Sequence, residues 1–203
     1  MPNWCNNSLI VTGTKTRVQK VKAFLKGTYP QYSDAPAGEA AVTCDLCFNN
    51  IIPVPAAVLK NGYSNARTFK NGKLVGPELT GMEGHDWQVT NWGTKWAATE
   101  IASSVEEIST TQVELVYSFD TAWSPMGENL VAKLSEQFPK VEFTLKYDEP
   151  GSQIVGQWVY KAGQCLSRED ISDEDYRDGV IDIWNYDPCE DDEEENSQYE
   201  AID

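Results

Sequence analysis

The sequence predicts an α+β fold, a ferredoxin-like sandwich in which an antiparallel sheet carries two helices on one face, with irregular insertions and an acidic C-terminal extension. Three observations point there. Strand-like and helix-like segments follow in the order strand, helix, one or two strands, strand, helix, strand. Each helical segment carries a single apolar stripe, so each has one face to bury. Nearly all the net charge lies beyond this pattern, after residue 166.

The elements follow in order. Residues 7–13, NSLIVTG, are apolar, rich in β-branched side chains and close on glycine, as a strand does. Thr14 then caps a helix reaching about residue 26, with Val18, Val21 and Leu25 at helical spacing and Gly27 as its stop. Residues 28–40 hold prolines, glycine and tyrosines and read as a loop. Residues 43–52 read as extended, until IIPVP ends regular pairing, because proline offers no ladder donor. Residues 61–84 contain five glycines and little periodicity, which marks an irregular insertion.

Residues 97–103 read as a strand, and 112–120 more clearly so, with Val113, Leu115, Tyr117 and Phe119 along one face. Ser124-Pro125 is a helix start, serine as cap and proline at the first helical position. Leu130, Leu134 and Phe138 mark that helix's face, and Pro139 ends it. Val141, Phe143, Leu145 and Tyr147 alternate along another strand, EPG at 149–151 turns, and 154–160 is a further strand. The domain is therefore assigned to 1–166, with insertions at 28–42 and 61–90. In the extension, 167–203, a short helix is expected at 172–177 and an apolar patch at 180–184, with 188–203 disordered.

Composition narrows the function classes. Of 203 residues, 40% are apolar and 11% aromatic, enough for a substantial core. No stretch approaches the roughly 18–20 consecutive apolar residues that span a bilayer, and the N-terminus shows no secretory signal, so a cytoplasmic protein is expected. The formal charge is −16, but residues 167–203 hold 16 acids against two arginines, leaving the first 166 residues near neutral. Such an acidic stretch repels nucleic acid and attracts basic protein surfaces, so direct binding to duplex DNA is disfavoured.

Two phrases carry the candidate site, NWGTKW at 91–96 and FDTAWSP at 119–125. Trp92 and Trp96 stand four apart, on one face of a helix or strand. The favoured reading is that the tryptophans are core, since each brings a large buried area. The functional reading is an aromatic pocket that stacks a base, peptide or small ligand, with Asn91 or Lys95 fixing polar groups. Gly93 serves a tight turn or a close backbone approach. Asp120 and Thr121 lie where a strand meets a helix start, and either satisfy turn and cap donors or help to present an anion site. If the two phrases meet in space, the candidate ligand-binding set is Asn91, Trp92, Lys95, Trp96, Asp120, Thr121 and Trp123.

Catalysis has thin support. His85, the only histidine, lies in a glycine-rich stretch with no evident nucleophile partner. There is no phosphate loop, dinucleotide fingerprint, nucleophile elbow or paired zinc motif. Asp45, Asp86 and Asp120 have no spacing that supports a metal site, and no cofactor is expected. The five cysteines are too scattered for a disulfide framework. Cys44-Asp-Leu-Cys47 is a lone C-x-x-C. It lacks the second ligand pair of a structural zinc site and does not sit between an evident strand and helix, so unremarkable reduced thiols are expected.

Taken together, MPNWCNN, FNNIIPVP, NWGTKW, FDTAWSP and YDEPG resemble, in the right order over residues 1–160, the Api92-like family, whose members carry a YubB-type ferredoxin-like domain and occur in bacteriophages, prophages and conjugative plasmids. The chain departs from the family pattern at Ala97, where an acidic residue is usual, and at Met126, where the family has a second proline. The resemblance implies a fold and a mobile-element setting, not a mechanism. The resulting expectation is a non-enzymatic phage accessory protein that binds and modulates a host or anti-phage defence protein with a basic surface. The acidic run Asp187, Glu190, Asp191, Asp192, Glu193, Glu194 and Glu195 is its candidate partner-binding segment, mimicking nucleic-acid charge. The alternative is a small-molecule or nucleotide-sequestering module built on the tryptophans.

Overall fold

The computed structural model describes residues 3–36, 38, 40–63 and 81–171, and the backbone of 68–70 and 73–75. In chain order the elements are β1 (Trp4–Gly13), α1 (Lys15–Leu25), β2 (Gly27–Thr28), β3 (Thr43–Cys44), α2 (Phe48–Ile51), α3 (Ala56–Asn61), β4 (Thr68–Lys70), β5 (Lys73–Val75), α4 (Gly84–Trp92), β6 (Thr99–Glu107), β7 (Val113–Ala122), α5 (Glu128–Gln137), β8 (Glu142–Glu149), β9 (Ile154–Lys161) and β10 (Gln164–Ile171). One six-stranded antiparallel sheet runs in the order β10-β9-β8-β1-β7-β6. The four strands β8-β1-β7-β6 with α1 and α5 make the ferredoxin-like unit, and β9 and β10 extend it beyond β8.

Alternation along the central strands sets the core. Leu9 and Val11 of β1, Leu115, Tyr117 and Phe119 of β7, and Phe143 and Leu145 of β8 all point to the helix face and are buried. Val18, Val21 and Leu25 of α1 and Leu130, Val131 and Leu134 of α5 close over them. The opposite face presents shorter and more polar side chains, among them Asn6 and Thr12 of β1 and Ser118 and Asp120 of β7. Among the described residues, no helix is long and apolar enough to cross a membrane.

The structure departs from the sequence reading in four places. Residues 43–52 are extended only at Thr43–Cys44 and then turn into α2. Asn50 drives this, because its side-chain amide donates to the carbonyls of Phe24 (2.7 Å) and Lys26 (3.1 Å) at the end of α1. The irregular insertion contains α4, which sequence periodicity misses because its buried residues, Trp87, Gln88 and Trp92, are not all apolar. The second helix starts three residues late, at Glu128, because the Ser124 hydroxyl donates to the Gly93 carbonyl (2.6 Å) and not to a helix end. Finally, β10 extends beyond residue 166, where the alternation fades. The expected helix at 172–177, the patch at 180–184 and the tail at 188–203 lie outside the described residues.

The 62–84 insertion is closed at its base. Gly84 N–H donates to the Gly62 carbonyl and His85 N–H to the Tyr63 carbonyl, both at 2.9 Å, while Asn61 donates to the Met82 carbonyl. Its two ends are thus held side by side.

A polar network holds β10 on the sheet. Asp170 accepts hydrogen bonds from the Tyr147 hydroxyl (2.5 Å), Trp158 Nε1 (3.2 Å) and Arg168 Nε (2.6 Å). Arg168 in turn lies over the Trp158 ring and pairs with Glu128 of α5. Burial pushes the Asp170 carboxyl up, but the three donors and the arginine charge outweigh it and hold the group below its usual range. A carboxyl lowered in the folded state stabilises the fold above its unfolded pKa of about 3.9 and loses that contribution as pH falls through the folded value. Asp170→Asn is therefore expected to lower the Tm at neutral pH. In thermal melts between about pH 5 and pH 2, the gap between wild type and variant should close as the acid range is entered.

Candidate functional site

The two tryptophan phrases do meet, and a buried asparagine joins them. Asn7 of β1 donates to Thr121 Oγ1 (2.8 Å) and to the Cys5 carbonyl (2.8 Å), and its Oδ1 accepts the Met126 backbone N–H (2.9 Å). Thr121 passes its own proton to the Ser124 carbonyl (2.6 Å), and Thr94 donates to the Ala122 carbonyl (3.0 Å). Gly127 N–H donates to the Trp92 carbonyl (2.8 Å). Gly93 ends α4 in the left-handed conformation at φ 76°, and a Cβ there would stand 2.6 Å from the Gly127 Cα. Gly93 thus meets both of its expected demands, a positive φ and a close backbone approach.

This lock divides the candidate residues into inner and outer groups. Because α4 stops at Trp92, Trp92 and Trp96 do not share one face. Trp92 is buried among Tyr29, Phe48 and Trp87, with its indole N–H on the Ile52 carbonyl (2.9 Å). Thr121 is also fully buried. Asn91 folds back onto the Trp87 carbonyl of its own helix (2.8 Å) and lines a cleft of about 560 Å³ with Asn129, Lys133, Glu136 and Gly163.

The outer group gathers at one end of the sheet. The Lys95 ammonium lies between two indoles, 4.5 Å from the Trp96 ring centroid and 4.4 Å from that of Trp123. Trp4, paired with Ala122 in the β1–β7 ladder, stacks obliquely on Trp96 at 6.0 Å. The His85 ring stands edge-on to Trp123 at 6.3 Å, and Tyr63 packs on His85 and donates to the Lys95 carbonyl (2.8 Å). Trp4 and Trp123 remain 40% and 46% exposed. Asp120 lies in β7, three residues before Trp123 and beside Thr99 across the β6 ladder, and is half-buried. Burial, and then the charge of Glu100, raises its carboxyl above the usual range.

Trp123 adopts φ 73°, a left-handed backbone that a bulky residue holds only at a cost of about 1–3 kcal/mol. Its backbone N–H is fixed on the Asn3 carbonyl (2.9 Å). A strained tryptophan left half in solvent contributes little to the core, so the fold presents it outward.

Trp4, Tyr63 and His85 belong to this cluster although sequence reasoning left them out of the site. Trp4 was detectable in principle, since strand pairing places the chain's start beside the end of β7. His85 and Tyr63 were not, because they arrive from the insertion. The acidic run from Asp187 to Glu195 lies outside the described residues. Among those described, no three His, Cys, Asp or Glu side chains converge as metal ligands would.

Comparison with known proteins gives two matches. Residues 91–201, more than half of the chain, match the family model described as the ferredoxin-like domain in Api92-like protein. The chain is also similar to a crystal structure of a protein api92 from Yersinia pseudotuberculosis, at 14% identity and a TM-score of 0.60, with 85% of this chain and 99% of that one covered. At that identity the likeness carries the fold alone. No curated protein matches.

The glycine contact makes a stability prediction. A Cβ on Gly127 would collide with the Trp92 carbonyl, which is held by the backbone. Gly127→Ala is expected to cost about 1–3 kcal/mol or more, read as a lower urea midpoint. Gly13→Ala is the control, because that glycine, like Gly127, needs no positive φ, while a Cβ there would meet only ordinary contacts at 3.6 Å from Val18 and Val141. It should cost less.

Proposed function

The chain belongs to the family of Api92-like proteins with a ferredoxin-like domain, and from that footing we propose that it is a non-enzymatic, phage- or plasmid-encoded accessory protein that binds and modulates a protein of the host cell or its defences. The observation that carries this reading is the half-exposed Trp4–Trp96–Lys95–Trp123 cluster, with Trp123 strained into the left-handed region. Tryptophan is enriched among the few residues that dominate protein–protein binding energy. Here the rings are already fixed by Lys95, His85 and the Asn3 carbonyl, so little conformational entropy is lost when a partner covers them. The acidic segment around Asp187 and Glu190–Glu195 adds long-range attraction for a basic partner surface in the cytoplasm. The ferredoxin-like domain is of the YubB type in this reading.

The nucleotide-sequestering alternative fits the geometry less well. The space between the two indoles is filled by the Lys95 ammonium and offers a base no slot. The 560 Å³ cleft, large enough for a small molecule, has no tryptophan in its lining.

Trp123→Gly separates binding from folding. Glycine tolerates φ 73° and keeps the N–H that donates to Asn3, so relief of strain offsets the lost ring contacts and the Tm should stay within a few degrees of wild type. Pull-downs from host lysate with the intact chain should retain a partner that Trp123→Gly releases, with affinity lower by about 30-fold or more, as for a hot-spot residue. Equal capture by both would sink the tryptophan half of the reading.

Deleting residues 186–203 tests the other half. The truncated chain should bind the same partner more weakly, with a flatter dependence on salt. If affinity and salt response stay unchanged, the acidic segment has no part in binding.

A further inference from the structure

We infer that Cys44 and Cys47 form a redox-active dithiol, a site that exchanges with low-molecular-weight disulfides such as oxidised glutathione and closes into an intramolecular disulfide. This motif does lie between a strand and a helix: Cys44 is the last residue of β3, and Cys47 immediately precedes α2. Only a bend at residues 45 and 46 separates the two thiols, each is the first influence on the other's ionisation, and the Tyr29 hydroxyl lies against the same turn. That hydroxyl is itself fixed, since it accepts the Phe48 N–H (3.0 Å) and donates to the Leu46 carbonyl (3.3 Å). Cys47 N–H is anchored on the Leu25 carbonyl at 2.7 Å, so the pair is held on the end of α1.

The two sulfurs have different surroundings. Cys47 is fully buried, whereas Cys44 is partly exposed. Buried cysteines ordinarily resist ionisation, as Cys5 does here, its thiol pushed up to about 12 by burial and then by Asp148 and Glu149. Cys47 behaves oppositely. The neighbouring Cys44 thiol, joined by the backbone N–H groups of Asn49 and Asn50, outweighs burial and lowers it to about 7. Cys44 moves upward as its partner in the shared proton. Among the described residues, no further His, Cys, Asp or Glu joins the two sulfurs.

Exposure, not acidity, decides which sulfur attacks, since the more acidic thiol is the enclosed one. The shared proton passes to Cys47, and the Cys44 thiolate, the sulfur that solvent reaches, attacks one sulfur of the external disulfide. The disulfide's S–S bond breaks, a Cys44 mixed disulfide forms, and the first thiolate leaves and takes a proton from water. Cys47 then gives up its proton and attacks the Cys44 sulfur, expelling the second thiolate, which is protonated in turn. Two cysteine thiols are oxidised, and one external disulfide is reduced to two thiols.

The test equilibrates the full chain in glutathione buffers of increasing oxidised fraction, quenches with acid and reads each cysteine by mass spectrometry. Exposed Cys165 serves as the internal standard for modification by the buffer. The 44–47 peptide should become two hydrogens lighter, with no glutathione attached. Cys47→Ser should trap Cys44 as its glutathione mixed disulfide, and Cys44→Ser should leave the enclosed Cys47 unmodified. The inference is overturned if Cys44 and Cys47 both stay reduced in a buffer that modifies Cys165. It is equally overturned if Cys44 of the intact chain ends as a mixed disulfide.

Discussion

The approach of Gly93 to Gly127 is the constraint on which the rest of the arrangement depends. Two backbones meet there with no side chain between them, one at the end of α4 and the other at the start of α5. That contact brings the insertion's last helix against the sheet's second helix. It also lets the Trp92 carbonyl accept Gly127 N–H while the Trp92 ring fills the core beside Phe48. Asn7 closes the third side from β1, and each of its polar side-chain atoms is occupied, as a buried amide requires. The signature phrases of this chain are therefore mainly one interlocking joint. Their function, in the first place, is to fix geometry.

That joint has an outer surface, and there the economy of the core gives way. On the inner side Trp87 and Trp92 are buried, Trp92 with its indole N–H satisfied. Those on the outer side are held by an ammonium and by each other, with one backbone in a strained conformation. Lys95 serves as an internal cation, neutralising the electron-rich faces of two rings and fixing their separation. Folding alone does not account for such a surface, which in the reading proposed above is kept for a partner.

Much of this was legible in the sequence, for identifiable reasons. Wherever one side of an element is buried, the apolar period shows it. Val113, Leu115, Tyr117 and Phe119 gave their strand correctly, and Val18, Val21 and Leu25 their helix. The signal failed where polar side chains decide the backbone. Asn50 turns an apolar run into α2 through bonds to the end of α1, and Ser124 leaves its expected cap to bond Gly93. β10 was obscure because an edge strand held by Arg168 and Asp170 has no apolar alternation to read. At the site, the meeting of the two tryptophan phrases was a sound expectation. Which tryptophan faces inward was not readable, because it depends on the left-handed turn at Gly93 that ends the helix between Trp92 and Trp96.

The insertion between α3 and α4 has an architectural consequence. Its ends are tied to each other by Gly84 on Gly62, His85 on Tyr63 and Asn61 on Met82, independently of what lies between them. Loop-closure entropy changes slowly with length, by roughly 0.6 kcal/mol for each doubling. A segment anchored in this way is a natural graft point, where evolution or an engineer can lengthen, shorten or replace the chain while the ferredoxin-like core and its tryptophan face stay in place.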